Sequence, residues 1–488
     1  MTRAIVLTGI TAALLGLAAC GSLQITDASA VLRQSEQAMG GGALNSIRYS
    51  AQGGGALFGQ AFIPGMAWPR MNYTSLVRVA DYQNGAWREE FGRARAEPNG
   101  GGAVPLMGQG EQRAVGLMRD NAAWNQAGPN SLPAPVALDE RIHDLWTTPH
   151  GALKAAIRNG ATVGPRSVGG KTLQAVSFTE PGRFTATLLI GANHLVEGIE
   201  SRRPHPVAGD TDVITTFLDY KDFNGVMFPT RIRQTQGGFD VLDVAVREVQ
   251  SNVASDIVVP DAVRGFSERV VAEKTAAGVW YLAGGSHHSV LIEMSDHLVI
   301  VESPLYDGRA AAVFAEARKL VPGKPIRYVV NSHHHFDHAG GLRAAAAEGA
   351  TLVTSAAAKA PFERALANPN RISPDLLARS GRNVNLIGVR GKHDLSDSTR
   401  RVEVHEIDAS IHAQGFLMVH LPKERLLIQA DAYTPLATGM PPPAVPNANN
   451  VNLVQNIERL NLGVDRILPL HGRIVPLSEL HAAIGRKS

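Results

Sequence analysis

The sequence contains one cysteine, Cys20, among its 488 residues. A disulfide within the chain is therefore impossible. No Gly-x-Ser-x-Gly motif is present, which argues against a serine nucleophile on a strand-to-helix turn. The formal net charge is only +3 and no block of basic residues stands out, so we expect no nucleic-acid partner.

Long apolar runs are absent beyond the first twenty residues, so no later segment is expected to span a bilayer. Apolar residues make up 44% of the chain and charged residues 19%, as in folded globular proteins. A chain of this length exceeds one ordinary hydrophobic core. We therefore predict two domains.

The first residues have the features of an export signal. Arg3 supplies a positive charge, an apolar run extends over 4–19, and small residues precede Cys20. Residues 17–20, Leu-Ala-Ala-Cys, resemble the lipobox of bacterial lipoproteins. That resemblance implies a signal peptide over 1–19 and a lipid anchor at Cys20. With Gly21 next, it implies the outer membrane of the bacterial envelope, facing the periplasm. An ordinary signal peptide with an incidental cysteine is the alternative.

Residues 20–260 indicate a β-rich α+β domain. A helix is predicted over 28–39, and alternating β-branched residues with Asn-Gly and Gly-Gly turns predict strands at 44–50, 185–190, 213–220 and 230–236. A curved antiparallel sheet with one or two helices is the expected result. The pattern of strands and turns resembles the half-barrel of periplasmic lipoprotein-carrier proteins. The sequence of this region shows no group of metal ligands or nucleophiles.

A linker with Pro260 and Gly265 is predicted over 255–266, and the pattern then changes. Short strands at 279–282, 289–293, 298–302, 326–330 and 351–354 alternate with helices at 310–320 and 340–348. This alternation predicts a layered α/β domain over 267–488.

A dense group of potential metal ligands follows the strand predicted at 326–330. Residues 331–341 read NSHHHFDHAGG, with the spacing His-x-His-x-Asp-His. The candidate ligands are His333, His335, Asp337 and His338. They are too many for one tetrahedral centre with an open position, so two metal ions are the better interpretation. His334 occupies a spacer position and is expected to point away.

Three further candidates follow apolar segments downstream. His412 follows the predicted strand at 401–408, Asp431 ends the strand at 425–430, and His471 follows residues 466–470. His405 and His420 lie within the neighbouring strands and compete with His412.

With these residues, the chain from about Thr275 onward resembles the metallo-β-lactamase superfamily. That resemblance implies an αββα sandwich fold. It also implies one metal held by His333, His335 and His412, a second held by Asp337, His338 and His471, and Asp431 as the bridge.

The expected cofactors are two divalent metal ions, zinc foremost, and the expected partner is a small-molecule substrate. Metal-bound hydroxide would attack a carbonyl or phosphoryl centre, and the resemblance implies that Asp337 orients it and takes a proton. We expect substrate contacts from His288, in the 284–288 loop beside His287, and from Tyr433. The segment 438–450 is a candidate rim. Glu302 stands where family members usually carry Asp, which leaves its role open.

The absence of a cysteine ligand excludes the β-lactamases that need one. An Asp at position 431 resembles the ligand set of glyoxalase II, lactonases and phosphodiesterases. Esters, thioesters and lactones are therefore the favoured substrates, ahead of β-lactams. Two alternatives stay open. One is a sulfur dioxygenase of the same superfamily with a single iron, and the other is a lipid-binding envelope protein whose metal domain is subordinate.

Overall fold

The computed structural model describes residues 27–97 and 110–486. The predicted signal peptide at 1–19 and the predicted lipidation site Cys20 lie outside the described residues. Within the described ranges, every helix is too short or too polar to cross a membrane.

The described part of the N-terminal region forms one antiparallel sheet of thirteen strands. The strands are β1 (Ser46–Ala56), β2 (Arg70–Asp81), β3 (Ala86–Arg95), β4 (Gln112–Arg119), β5 (Ala122–Ala127), β6 (Asn130–Pro133), β7 (Thr162–Val168), β8 (Lys171–Glu180), β9 (Phe184–Ile190), β10 (Val196–Arg203), β11 (Thr211–Phe223), β12 (Val226–Gln236) and β13 (Phe239–Ser251). Their order is β6-β5-β4-β3-β2-β1-β13-β12-β11-β10-β9-β8-β7. The first strand of this sheet in the sequence, β1, therefore pairs with its last strand, β13.

Three helices cover one face of this sheet: α1 (Ala28–Ala38), α2 (Leu138–Trp146) and α3 (Pro149–Asn159). Alternate residues of the strands, such as Ile47, Tyr49 and Ala51 of β1, point to that face and pack with the helices in one core. The β-rich prediction is confirmed, but α2 and α3 exceed the one or two helices expected. They follow a short 3-10 turn at Pro135–Ala137, and α3 begins with Pro149, a residue that suits the first helical turn.

The C-terminal region contains two further sheets. One has the order β14 (Val271–Ala276), β15 (Val279–Ala283), β16 (Ser289–Glu293), β17 (Leu298–Val301), β18 (Ile326–Val330), β19 (Thr351–Ser355), β20 (Asn385–Val389). The other has the order β21 (Lys392–Ser396), β22 (Arg401–Glu406), β23 (Leu417–Leu421), β24 (Leu426–Gln429), β25 (Arg466–Pro469), β26 (Val475–Pro476). Strands β17 to β20 are parallel, as are β24 and β25.

The two sheets pack face to face between helices. Side chains of β17 alternate, so Val299 and Val301 enter the core between the sheets while Leu298 and Ile300 enter the core beneath the outer helices. The helices of this region are α5 (Asp307–Leu320), α6 (Phe336–Ala339), α7 (Leu342–Ala347), α8 (Ala356–Ala367), α9 (Leu376–Ser380), α10 (Ala448–Arg459) and α11 (Leu477–Ala483). Helices α5, α7 and α8 pack on the first sheet, and α10 and α11 on the second. The predicted αββα order of layers is confirmed.

The connection between the two regions runs from Ser251 to Val271. It contains one short helix, α4 (Asp261–Arg264), within the linker that the sequence predicted over 255–266. Proline at 260 begins this helical turn, and Gly265 ends it. The apolar residues Ile257, Val259 and Val263 pack against Ala86 of β3 and Trp124 of β5 in the thirteen-stranded sheet.

Candidate metal centre

The predicted ligands follow strands that end at one edge of the sandwich. Residues 331–338 follow β18, Asp431 follows β24, and His471 follows β25. His412 lies in the connection between β22 and β23. Because β24 and β25 are parallel neighbours, their carboxyl ends bring Asp431 and His471 to the same place.

Four side chains form a first cluster of potential ligands: His333, His335, His412 and Asp431. Nε2 of His333 lies 3.0 Å from Nδ1 of His335 and 3.1 Å from Nε2 of His412. Oδ2 of Asp431 lies 3.0 Å from Nε2 of His412. All three histidines are at most 2% exposed.

A second cluster lies on the other side of Asp431 and consists of His287, His338 and His471. Nε2 of His338 and Nε2 of His471 are 3.3 Å apart, and they lie 3.1 and 3.0 Å from Oδ1 of Asp431. The two oxygens of one carboxylate therefore face two separate groups of imidazoles.

This donor set fits metal ions better than it fits hydrogen bonding. Ligand atoms about 2.0 Å from a tetrahedral Zn²⁺ lie roughly 3.3 Å apart, close to the 3.0 to 3.3 Å between these nitrogens. Oδ1 of Asp431 is buried and makes no hydrogen bond, although two ring nitrogens lie near it. Its lone pairs and those of the imidazoles converge on a common space, as ligands of a cation do.

The electrostatics of the centre agree with this fit. Burial lowers the pKa of His333 and His335, which keeps both imidazoles neutral and able to bind a metal. Burial also acts to lower the pKa of His338, but the carboxylates of Asp431 and Asp337 outweigh it and raise that pKa well above its usual value. The carboxylates of Asp431 and Asp337 therefore favour a positive charge beside them in the centre.

Glu302 orients two of the histidines from behind. The residue is fully buried, and its carboxylate accepts from Nδ1 of His338 at 3.2 Å and from Nδ2 of Asn331 at 3.0 Å. It also accepts from the hydroxyl of Ser332, whose oxygen lies 3.0 Å from Nδ1 of His333. Such contacts fix the ring tautomer and direct Nε2 toward the metal side. The structure thus gives Glu302 the orienting role that the sequence left open.

Asp337, predicted as a ligand of the second metal and as the catalytic carboxylate, stands beside both clusters. Its Oδ1 accepts from Nε2 of Gln60 at 2.8 Å, and its Oδ2 lies 3.3 Å from Nε2 of His287 and 3.9 Å from Nε2 of His338. Burial opposes ionisation here, but neighbouring His338 and His287 hold the pKa of Asp337 well below its usual range. Asp337 is therefore a carboxylate that adjoins the second cluster, whereas His287 belongs to it.

A substrate contact at His288 stays a prediction, and its neighbour His287 takes the place that faces the centre. Nδ1 of His287 lies 2.8 Å from the Ser286 hydroxyl, and its Nε2 faces Asp337. The His288 ring instead lies 5.2 Å from that of Tyr281, and its Nδ1 accepts from the backbone N–H of Gly284. Both histidines lie just before β16, and their rings have different neighbours in this connection.

Tyr433, two residues after Asp431, lies in the wall of a cavity of about 300 Å³. Its backbone N–H and carbonyl both bond the side chain of Gln429, which fixes the turn after β24. The cavity is also lined by Leu436, Met440, Pro442 and Arg473. No member of either metal cluster lines it among the described residues, so a bond from Tyr433 to substrate stays a prediction.

His405 and His420, the competitors of His412, belong to a different group. Oε2 of Glu403 lies 3.2 Å from Nε2 of His405 and 3.1 Å from Nδ1 of His420. The other carboxylate oxygen lies 2.7 Å from Nζ of Lys392. The structure brings His412, and neither of these two, to His333.

Sequence reasoning missed a contribution from the N-terminal region. The connection between β1 and β2, residues 57–69, reaches the centre and places Gln60 against Asp337 and the carbonyl of Ala61 against His335. His334, expected to point away, donates from Nε2 to the same carbonyl at 2.7 Å. No local sequence pattern predicts such contacts, because they join residues more than 270 positions apart.

Residues 282–471 match the family model described as the Metallo-beta-lactamase superfamily. The C-terminal region is thus a domain of this superfamily with the metallo-β-lactamase fold, which indicates a metal-dependent hydrolase. The predicted fold class is confirmed, whereas the glyoxalase II-like ligand set stays a prediction.

Several solved structures are similar to this domain. A metallo-beta-lactamase from Pontibacter korlensis has 15% identity and a TM-score of 0.34, over 44% of this chain and 98% of its own. One from Hirschia baltica has 19% identity and a TM-score of 0.33, over 46% and 100%. FIM-1 from Pseudomonas aeruginosa, in a mono-zinc form, has 18% identity and a TM-score of 0.33, over 45% and 94%. No curated protein matches the chain.

Proposed function

We propose that this protein is a hydrolase with two divalent metal ions, zinc foremost, that cleaves an ester, thioester or lactone bond. The observation that carries the proposal is the position of Asp431. Its two carboxylate oxygens face two histidine clusters, one of His333, His335 and His412 and one that includes His338 and His471. A carboxylate in this position suits a bridge between two ions.

The chemistry follows from the polar groups of the centre. A pair of divalent cations, when bound, supplies a hydroxide nucleophile near neutral pH and polarises the substrate oxygen. Gln60 holds Oδ1 of Asp337, and Nε2 of His287 lies 3.3 Å from Oδ2, the oxygen that would orient the nucleophile and accept its proton. His287 adds a third imidazole to the second cluster, where the resemblance implied Asp337.

The exposure of the ligands indicates how a substrate reaches them. His333 and His338 are inaccessible, whereas the side chains of His471 and Asp337 are 21% and 36% exposed. A substrate would therefore approach from the side of His471 and Asp337.

Metal analysis of the purified protein, run with a panel of ester, thioester, lactone, β-lactam and phosphodiester substrates, tests this proposal. We expect two metal ions per chain and turnover of the acyl substrates. Asp431→Ala and His335→Ala should each abolish turnover without unfolding the protein, whereas His393→Ala, outside both clusters, should leave turnover unchanged. A single iron with thiol-dependent oxygen uptake would support the dioxygenase instead, and full activity of either ligand variant would refute the assignment.

We also propose that the protein is exported and anchored through a lipid on Cys20, facing the periplasm. This rests on the residues around Cys20 alone. Mass spectrometry of the mature N-terminus should find an acylated cysteine, and Cys20→Ser should move the protein from the membrane fraction to the soluble one. An unmodified Cys20 in the mature protein would exclude the anchor.

A further inference from the structure

We propose that the connection between β1 and β2, residues 57–69 of the N-terminal region, contributes to the metal centre by positioning two of its residues. Gln60 acts there as a positioning residue for Asp337, and the backbone carbonyl of Ala61 positions His335. This inference rests on the proposed metal centre. It gives the N-terminal region a function that neither its fold nor its sequence suggests.

The carbonyl of Ala61 selects the tautomer of His335. A carbonyl oxygen can only accept a hydrogen bond, so Nε2 of His335, 3.1 Å away, must carry the proton. A neutral imidazole protonated at Nε2 presents a lone pair at Nδ1, and this atom lies 3.0 Å from Nε2 of His333. Ala61 is fully buried, which keeps water from replacing it as acceptor. Partners of this kind hold the ring and raise its basicity as a ligand.

The side chain of Gln60 fixes one oxygen of Asp337. Its Nε2 donates to Oδ1 at 2.8 Å, while Oδ2 faces His287 and His338. An amide can donate this bond at any pH of interest, whereas a carboxylate there would repel Asp337. The carboxylate therefore has one orientation with a single oxygen toward the second cluster.

Backbone hydrogen bonds join the connection to two segments that carry ligands of the first cluster. The N–H of Phe336, a spacer in the ligand motif, donates to the carbonyl of Gly59 at 3.0 Å, and the N–H of Gln414 donates to that of Phe62 at 2.8 Å. The rings of Phe58 and Trp68 lie 5.3 and 5.4 Å from that of Phe336. The connection is thus clamped between the 333–338 turn and the turn that carries His412.

Gly59 offers a way to move this connection without altering a ligand. A Cβ built on Gly59 would lie 2.6 Å from two ring atoms of Phe336, and its φ of +85° already disfavours a side chain. Gly59→Ala should therefore displace the connection and separate Ala61 from His335. Gly54→Ala in β1 is the matched control, because the nearest atom to its Cβ would be 3.9 Å away.

The experiment measures metal content, the rate of metal loss to a chelator, and kcat and KM for the wild type and three variants. For Gly59→Ala we expect metal affinity to fall about 10- to 100-fold. For Gln60→Ala we expect two metals retained, kcat lowered about tenfold with little change in KM, and a shifted pH profile. Gly54→Ala should match the wild type. Circular dichroism checks that each variant is folded.

The outcomes separate this inference from the proposed function. A wild type that binds no metal would remove the proposed function and the inference with it. A wild type with two metals, together with wild-type metal retention in folded Gly59→Ala and wild-type kcat in Gln60→Ala, would overturn the inference alone. An unfolded Gly59→Ala would leave Gln60→Ala as the deciding variant.

Discussion

Oε2 of Glu302 lies 3.2 Å from Nδ1 of His338, and the backbone of Glu302 holds the left-handed φ of +71°. That conformation costs free energy for a residue with a Cβ. It directs the carboxylate beneath the metal centre, where Ser332 and Asn331 also bond it. The fold thus stabilises a strained residue at the point where the histidines need an acceptor.

Glu302→Gln should weaken metal binding about 10- to 100-fold, because an amide cannot accept from His338, Ser332 and Asn331 at once. Competition with a chelator measures this affinity. Glu273→Gln, at an exposed position of β14, is the control and should bind metal as the wild type does. Equal affinities for Glu302→Gln and the wild type would show that metal binding does not depend on the charge of the Glu302 carboxylate.

Substitution should distinguish the roles of the neighbouring residues His287 and His288. His287→Ala removes an imidazole from the second cluster, so we expect that ion to be lost at chelator concentrations that leave the first ion bound. His288→Ala removes a ring that packs on Tyr281, so it should lower thermal stability and leave the metal content at the wild-type value. Metal quantification beside thermal unfolding distinguishes them, and the reverse pattern would assign the ligand role to His288.

His150 should make stability depend on pH. Burial lowers the pKa of this histidine to about 4, with a contribution from Lys154, although its bond to the carbonyl of Met39 opposes the shift. The unfolded chain, with a pKa of about 6.5, therefore binds the proton first. The stabilising contribution is present above about pH 6.5 and is lost as the pH falls toward 4, and it amounts to about 3 kcal/mol.

Denaturant unfolding of the metal-free protein between pH 7 and 4.5 tests this, with His150→Gln as the comparison. The free energy of unfolding of the wild type should fall more steeply than that of the variant as the pH is lowered. Parallel curves would mean that His150 titrates in the folded protein as it does in the unfolded chain.

Gly340→Ala should destabilise the protein by about 2 kcal/mol or more. The backbone of Gly340 is helical, so alanine suits it locally, but its Cβ would lie 1.9 Å from the carbonyl oxygen of Leu305. Thermal unfolding measures the loss. Gly164→Ala, where the same substitution meets open space, should change the stability by less than about 0.5 kcal/mol.

Local patterns predicted much of the C-terminal fold. Strands β16 and β18 have the predicted bounds, since short apolar runs between turns have few other conformations available. Helices α2 and α3 were not predicted, although buried residues such as Ile142 and Leu145 lie at helical spacing. With 9 and 11 residues they are too short to be stable in isolation. Packing against the sheet stabilises them instead.

The sequence by itself determined the kinds of ligand and their positions after strands. The spacing His-x-His-x-Asp-His is local, and parallel strands carry their carboxyl ends to one edge. Only the tertiary structure decided that His287 rather than His288 faces the centre and that Glu302 bonds His338. It also decided that Gln60 and Ala61 of the N-terminal region contact Asp337 and His335. These choices depend on strand register and on contacts between distant segments, whose free energies no local pattern encodes.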